Sequence, residues 1–425
     1  MANPIVPPAP NRNNSRVSTP FSTTNKRSRG ITLFLNILKA VLPMLLLLKV
    51  RKVVIDEIQK VLSCRNPKNG CLYYCEHCDN FRYEPFTCKS RFCPSCGNLY
   101  NKQRASSIGE HLLYVPHRHI IFTIPEQLRP YFLKNRKLLD VLFKASYKTF
   151  EDVISETWKG NAHVGCVCTL HTFSRASTWN PHIHVIATEG LFSDWGQWYP
   201  RQFISYERLR HVWQDNLLSM LAKQIGPSFH EMDTFLRAEY PDGFYVSAGK
   251  TPRHYNGNVK QLVTYVARYL GRPCISTNRI DSFDGKTVKF HYMAHVGNHE
   301  ERRDEEPSVL DFVLRLIDHI QEPNFRNLRY YGIYSTTGKS SECVQKALEK
   351  GTTYLYDPNC HAERHYFSRW RGAMKRSFGY DPIICPTCGD VMEPLLYKIN
   401  GKVCFSISPR GKKKPLLHEQ EELTG

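Results

Sequence analysis

Hydrophobic and polar positions follow two different periods along this chain, and the change between them marks its organisation. Residues 52–62 carry apolar side chains every three or four positions, which predicts an amphipathic helix. Residues 117–123 (HRHIIFT), 163–173 (HVGCVCTLHTF) and 182–188 (HIHVIAT) have the β-branched and alternating composition of strands. The polar segment 174–181 predicts a hairpin turn between the last two.

Helical spacing returns beyond this hairpin. Residues 136–158, 205–225 and 258–270 are predicted helices, whereas residues 243–248 and 288–292 are predicted strands. Because strands and helices interleave while hairpins dominate, the pattern predicts an α+β fold with a central antiparallel sheet and packed helices.

These patterns suggest five segments. They are a disordered basic tail at 1–30, a helical lead-in at 31–62, a small cysteine-rich domain at 63–100, a main domain at 101–300 and a mixed extension with a CxxC at 301–425. The apolar run within the lead-in, residues 31–50, is long enough to cross a bilayer. However, Lys39 would be costly at its centre and Pro43 should break a helix there. We therefore expect a broken, buried helix rather than a membrane span.

Charge and composition narrow the function classes. The 425 residues include 41% hydrophobic and 23% charged residues, a globular balance that excludes wholesale disorder and a fibrous repeat. Lys and Arg total 58 against 39 Asp and Glu, a formal charge of +19. Such an excess indicates a polyanionic partner, with nucleic acid first.

The chain has 15 cysteines, and residues 1–30 lack the apolar stretch of a signal peptide. We therefore expect a reducing, cytoplasmic environment and thiolate-bound metal rather than disulfides. Cys75-x2-Cys78 and Cys93-x2-Cys96 each aim two thiolates at one point, and together they predict a four-cysteine zinc site. A redox dithiol is the alternative, but it usually occurs as a single CxxC.

Other cysteines leave the number of metal sites open. Cys385 and Cys388 form one further knuckle, which cannot complete a tetrahedral shell alone and marks a possible second zinc site. Cys64, Cys71 and Cys88 are more typical of buried, inert thiols and are not assigned as ligands.

Basic and aromatic residues are interleaved through the cysteine-rich domain. Lys89 and Arg91 lie in its loop next to Phe92, which suits contact with a DNA backbone and exposed bases. The alternative is that the aromatics build the module's own small core.

A His-hydrophobe-His pattern is the first catalytic candidate. On a strand, His182 and His184 project from one face while Ile183 enters the other, so both imidazoles can share a divalent cation. Such a pattern also occurs by chance. His171, on the facing hairpin arm, is the first candidate for a third ligand, and Gln261 is a weaker one. His119 is a third candidate that could merely line the site.

Two tyrosines are the second catalytic candidate. Tyr265 and Tyr269 lie one turn apart on the predicted helix 258–270, so two phenols would face the same way. An aromatic stripe packed on the sheet is the alternative. Arg268 and Arg272 are nearby and could hold phosphates.

These motifs, in this order, resemble a known family. The blocks CRNPKNG, CEHC, CKSRFCPSC, HRHIIFTIP, LHTFSRASTWNPHIHV, YVARYLGRP, RYYGIYS and CPTCGDVM run from about Ile55 to Met392. HIH on a strand followed by YxxxY on a helix resembles the HUH endonucleases. The full series resembles the two-tyrosine rolling-circle transposases of the insertion-sequence-ninety-one family, with their N-terminal zinc-binding domain.

The resemblance implies a fold and a reaction. The HIH strand would lie in the middle of the antiparallel sheet, within a catalytic domain at 101–300 preceded by a zinc-binding domain at 63–100. A tyrosine would attack single-stranded DNA at a transposon end, keep the 5′-phosphate and release a 3′-hydroxyl that later rejoins target DNA. Zn²⁺ would be structural and Mg²⁺ or Mn²⁺ catalytic. We expect Tyr265 to attack first because Gln261 is one turn away.

Three alternatives remain at this stage. A replication initiator or relaxase would share the HUH chemistry, although the zinc module and the YLGRP and CPTCG blocks favour a transposase. A non-catalytic zinc DNA-binding protein, such as a decayed transposase, is disfavoured by the intact HIH and tyrosine motifs. A membrane protein rests on residues 31–50 alone, so we expect no stable membrane association and a location at the bacterial nucleoid.

Overall fold

The computed structural model describes residues 26–113, 115–156, 158–161, 163–201, 204–248, 273–297, 299–335, 342, 346, 371–372, 374–375 and 379–406. The helices are α1 Lys26–Leu47, α2 Lys52–Leu62, α3 Pro94–His111, α4 Arg129–Lys134, α5 Leu139–Ser155, α6 Tyr206–Ile225, α7 His230–Glu239 and α8 Val309–Ile317. The strands are β1 Gly70–Cys75, β2 Asn80–Pro85, β3 His117–Phe122, β4 Gly165–Phe173, β5 Trp179–Thr188, β6 Gly190–Phe192, β7 Trp198–Pro200, β8 Val246–Ala248, β9 Ile280–Phe283, β10 Val288–Val296, β11 His299–Glu305, β12 Leu328–Gly332, β13 Glu393–Ile399 and β14 Lys402–Ser406.

The chain forms two compact units. The first contains Ser63–Cys88 and the described part of Phe378–Gly425, and the second contains Lys26–Leu62 and Lys89–Ser377. This division differs from the predicted domain limits of 63–100, 101–300 and 301–425, because the end of the chain shares a unit with the N-terminal cysteine segment.

A five-stranded antiparallel sheet organises the second unit. Its order is β12-β4-β5-β3-β8, so β5, which carries the His-hydrophobe-His pattern, is the middle strand. The predicted α+β class with a central antiparallel sheet is confirmed.

One face of this sheet packs on the main core. Ile120, Phe122, Ile183, Val185 and Cys168 point into this core and are all fully buried. Helices α5 and α6 cover them, with large side chains such as Phe143 and Trp213 at 0% exposure. Side chains alternate across a strand, so the residues between these positions face the other way.

The opposite face of the sheet carries two different surfaces. At one end Val167 and Ile186 join a second hydrophobic cluster with Ile108 and Ile333. At the other end the same face carries histidines instead of aliphatic residues, which gives the site described below.

Helix α1 differs from its prediction. It runs unbroken through Pro43 to Leu47. Val41 before the proline and Leu45 after it are both fully buried, so packing holds both turns together despite the lost hydrogen bond. Residues 30–47 are long and apolar enough to span a bilayer, but a third of the segment is buried inside the protein and a core helix meets the same criterion.

The first unit is a small four-stranded sheet of order β14-β13-β1-β2. β1 pairs with β2 as a hairpin and, on its other side, with β13, so that Leu72 faces both Tyr83 and Leu396. The sheet therefore combines strands from both ends of the described chain. Within the part of this unit that the structure describes, the buried cluster consists of Cys71, Tyr73, Cys75, Cys385 and Met392.

Candidate functional site

The middle strand β5 places two imidazoles on the face opposite the main core. Ile183 is fully buried in the core, whereas His182 and His184 flank it on the other face. The strand alternation predicted from the sequence therefore holds at this pattern.

His171 joins these two histidines from the neighbouring strand. β4 pairs with β5 so that His171 is directly opposite His182. The ring centroid of His171 lies 4.3 Å from that of His184 and 5.5 Å from that of His182. Each ring offers one nitrogen, and the three nitrogens lie within 4.8 Å of one another. The structure thus brings together the three histidines proposed as metal ligands.

A hydrogen bond of His182 determines which of its ring nitrogens can bind a cation. Its Nδ1 lies 2.7 Å from the backbone oxygen of Asn180, which can only accept, so Nδ1 carries the proton and Nε2 keeps its lone pair. Burial lowers the pKa of His182, and the charge of Arg129 lowers it further. A lowered pKa keeps the ring neutral, as a metal ligand must be.

His119 lies behind His184 on the adjacent strand β3. Its Nε2 is 2.9 Å from Nδ1 of His184, and the two rings are stacked with centroids 5.1 Å apart. Burial lowers the pKa of His119 to about 4, with a further contribution from His182. The sequence ranked this residue only third, yet it contacts a proposed ligand directly.

Two oxygen atoms complete this face, and sequence reasoning missed both. Thr169 is opposite His184, and Asn180 precedes His182 by two positions on the same strand. Thr169 Oγ1 and Asn180 Oδ1 are buried without a hydrogen-bond partner among the described residues. Three imidazoles beside unsatisfied oxygens could hold a divalent cation together with coordinated water. The two-residue period of a strand places Thr169 and Asn180 on the same face as the histidines, and this period could have identified them from the sequence.

A cavity of about 390 Å³ adjoins His171. The basic residues Lys89 and Arg91, predicted to contact DNA, line it together with Phe92 and His319. His319 also fixes the β4–β5 turn, because its Nε2 donates to the backbone oxygen of Ser177 at 2.9 Å.

The remaining predicted residues of this centre are Gln261, Tyr265, Arg268, Tyr269 and Arg272. All of them lie outside the described residues.

The cysteines of the first unit form a set that differs from the predicted one. Cys75 Sγ lies 3.4 Å from Cys388 Sγ, and Cys78 Sγ lies 3.5 Å from Cys385 Sγ. All four sulfurs lie within 4.8 Å of one another, and we call these residues the four-thiol set. Burial opposes ionisation of Cys385, but the backbone N–H groups of Cys388 and Thr387 lower its pKa to about 6.

This finding corrects the predicted grouping of Cys75 and Cys78 with Cys93 and Cys96. The β1–β13 pairing, not proximity in sequence, brings the C-terminal knuckle to the N-terminal one. Cys93 and Cys96 belong to the second unit, at the start of α3, and their sulfurs lie within 4.8 Å of each other.

Two further cysteines of the first unit, Cys64 and Cys88, also approach within 4.8 Å of each other. The sequence left both without an assigned role. Cys71, which was left unassigned with them, is buried, and burial raises the pKa of its thiol.

Transposases are among the known proteins with similar sequences. A family model described as "Transposase zinc-binding domain" matches residues 37–124. A second transposase family model matches residues 165–341. The transposase for insertion sequence element IS801 of Pseudomonas savastanoi pv. phaseolicola is 29% identical over 80% of this chain and 82% of its own length. The protein y4qJ of Sinorhizobium fredii, named as an inferred transposase, is 25% identical over 75% of this chain and 82% of its own length. No solved structure matches the chain significantly.

Proposed function

We propose that this chain is a transposase of the insertion-sequence-ninety-one type that cleaves and rejoins single-stranded DNA in rolling-circle transposition, since transposase family models match residues 37–124 and 165–341 and the transposase for insertion sequence element IS801 is similar over 80% of the chain. The observation that carries this proposal is the meeting of His171, His182 and His184 on one face of the central sheet. Three imidazoles that converge from two paired strands leave coordination positions open for substrate, which suits a catalytic cation better than a structural one. A cation bound there would polarise the scissile phosphate and orient it for in-line attack.

The proposed nucleophiles are Tyr265 and Tyr269. A phenolate oxygen attacks the phosphorus, the bond from phosphorus to the 3′ oxygen breaks, and the leaving oxygen takes a proton to become a 3′-hydroxyl. The 5′-phosphate stays on the tyrosine. In the return step the 3′-hydroxyl of a strand attacks the phosphotyrosine and releases the phenol. One phosphodiester is exchanged for another, so the reaction needs no ATP.

The zinc-binding character of the N-terminal region follows from the family match and the cysteine clusters. We propose a structural role for zinc, since four thiolates leave no open coordination position for chemistry. The charge of +19 supports attraction to the DNA backbone.

The test uses purified full-length protein, Mn²⁺ and single-stranded oligonucleotides that tile the DNA flanking its gene. The expected product is a protein–DNA adduct that survives denaturation and maps by mass spectrometry to Tyr265 or Tyr269. Tyr292→Phe, in strand β10, is the control and should leave the adduct intact. If folded, zinc-loaded protein forms no adduct on either strand, the proposal fails.

A further inference from the structure

The four-thiol set lies between two tight turns that come from opposite ends of the chain. Cys75 ends β1 and Cys78 lies in the β1–β2 turn, where Asp79 has a positive φ of 52°. Cys385 and Cys388 lie in the other turn, closed by Gly389 with a φ of 83°. Each turn holds its two sulfurs by backbone geometry, which is the arrangement of a metal knuckle.

The sulfur separations distinguish a metal site from a disulfide. The cross-turn distances of 3.4 Å and 3.5 Å are far longer than the S–S bond of about 2.05 Å. They are close to the separation of about 3.8 Å that four sulfurs take at roughly 2.3 Å from a tetrahedral zinc ion.

Contacts around the set join the same two segments. Asn80 Nδ2 donates to Thr387 Oγ1 at 2.7 Å and lies 3.9 Å from Cys385 Sγ. The buried Arg82 donates to the backbone oxygens of Asp381 and Ile384, both at 3.2 Å. Polar donors directed at ligands and their turns are typical of a supporting shell around a metal.

We propose that Cys75, Cys78, Cys385 and Cys388 bind one structural zinc ion that fastens the C-terminal segment to the N-terminal sheet. Among the described residues the buried cluster of this unit has five members, so a metal cross-link would add substantially to its stability. The zinc-binding family match ends at residue 124, so half of this ligand set comes from outside it.

The test counts zinc in the full-length protein. Cys385→Ser and Cys75→Ser should each lower bound zinc by one equivalent per chain. Cys71→Ser is the matched control, since Cys71 is buried in the same cluster without belonging to the set, and it should retain the wild-type zinc content. Cys388→His should also retain zinc, because imidazole can replace one thiolate. Unchanged zinc in the Cys385→Ser, Cys388→Ser double variant would overturn the proposal.

A second readout needs no variant. Cys388 is exposed, so an alkylating reagent should label it readily once a chelator has removed the metal. Before chelation, peptide mapping should find Cys388 and Cys78 protected together. Labelling of Cys388 at the same rate with and without chelator would also refute the site.

An independent observation concerns a cavity of about 360 Å³ in the second unit. Arg129 and Arg210 line it, and Nε of each is buried without a hydrogen-bond partner among the described residues. Tyr245 forms one wall and is 59% exposed, with the guanidinium of Arg210 5.3 Å from its ring centre. With one carboxylate, Glu126, in the same lining, the two guanidinium groups still leave a net positive charge beside an exposed aromatic ring, which can bind a phosphate and stack a base.

Hydrogen bonds and a close backbone contact hold the frame of this cavity together. Thr123 bonds the backbone oxygen of Tyr245 through both its N–H (3.2 Å) and its Oγ1 (2.8 Å). Trp213 Nε1 in turn donates to the oxygen of Thr123 at 2.8 Å. Gly243 approaches the backbone of Arg210 so closely that a Cβ would lie 2.4 Å from it.

The cavity lies at the histidine end of the central sheet. Phe122 is paired with Ile183, so Thr123 follows at the level of His182. We infer that Arg129, Arg210 and Tyr245 bind a nucleotide of single-stranded DNA next to the scissile phosphate. This inference rests on the proposed function, since it assigns a subsite to the same centre.

Binding is measured by fluorescence anisotropy on a single-stranded oligonucleotide without added Mn²⁺ or Mg²⁺ and in the Tyr265→Phe, Tyr269→Phe background, so that cleavage does not interfere and the zinc stays bound. Arg210→Gln should weaken binding. It should also reduce the slope of log affinity against log salt concentration by about 0.7, because one phosphate contact is lost. Tyr245→Leu should weaken binding roughly tenfold through lost stacking, whereas Tyr245→Phe should not. Arg208→Gln is the control, because Arg208 is on the same helix but pairs with Glu156 at 2.6 Å.

Equal losses for Arg208→Gln and Arg210→Gln would show general charge attraction and overturn the subsite. Wild-type binding by Tyr245→Leu would do the same. If these variants behave as expected while no covalent adduct forms, the subsite stands and the proposed chemistry fails.

Discussion

Nε2 of His119 lies 2.9 Å from Nδ1 of His184. One of these nitrogens must donate and the other accept. If His184 Nδ1 carries the proton, its Nε2 keeps the lone pair that a cation needs. His119 on β3 can therefore select the metal-binding tautomer of His184, the proposed ligand on β5.

We predict that His119→Phe lowers the affinity of the centre for Mn²⁺ by about 10- to 100-fold, since the supporting acceptor is lost. Excess Mn²⁺ should restore adduct formation. His119→Gln is the matched control, because its amide oxygen can accept from His184 and should preserve most of the affinity. Equal affinity of the Phe variant and the wild type, measured by titration calorimetry, would show that His119 only fills space.

The ligand histidines themselves should be indispensable. The double variant His182→Ala, His184→Ala should form no adduct, and Tyr265→Phe or Tyr269→Phe should each impair its formation. Ile183→Val, between the two histidines but facing the core, should remain active. Denaturing gel electrophoresis of the adduct measures all four, and normal capture by the double histidine variant would refute the metal assignment.

Helix α7 offers a test of the core with adjacent residues. Leu236 is fully buried, whereas its neighbour Phe235 is 47% exposed. Leu236→Ala should lower the free energy of unfolding by about 2–5 kcal/mol, because it leaves a cavity. Phe235→Ala removes a larger side chain yet should cost under about 1 kcal/mol. Urea denaturation measures both, and a larger loss for Phe235→Ala would contradict the placement of α7.

His117 should make stability depend on pH. It is 4% exposed, its Nε2 is 2.5 Å from the hydroxyl of Tyr334, and burial lowers its pKa to about 4. Between an unfolded pKa of about 6.5 and the folded value, only the unfolded state takes up this proton. The proton therefore does not affect the free energy of unfolding above about pH 6.5. As the pH falls from there to about 4, the free energy of unfolding drops by roughly 3 kcal/mol.

His117→Gln should reduce this pH dependence, because glutamine can keep a polar atom near Tyr334 without titrating. Denaturation curves collected between these two pKa values provide the measurement. An unchanged slope in the variant would mean that other groups cause the loss.

Local patterns predicted the elements of the central sheet well. The hairpin arms, the HIH face and the opposition of His171 all follow from strand alternation, which acts over a few residues. The α+β class followed from the same hairpins. Proline at position 43 misled the prediction because tertiary packing on both sides of it outweighed a local preference.

The partners of Cys75 and Cys78 could not be predicted in the same way. Two CxxC knuckles close in sequence suggested one site, but ligand choice depends on which strands pair, and β13 pairs with β1 across most of the chain. Thr169 and Asn180 were missed for a different reason. A buried hydroxyl or amide is ordinary in sequence until its unsatisfied oxygen is seen beside the histidines.

The pairing of β1 with β13 also has a consequence for synthesis on the ribosome. Cys75 and its partner Cys388 are separated by 313 positions. At about 5–20 residues per second, the N-terminal knuckle waits roughly 15–60 s for its partner to be translated. During that interval its thiols are open to oxidation and to the wrong metal. A premature stop codon that removes only the last strands would therefore leave the first-made module unfinished.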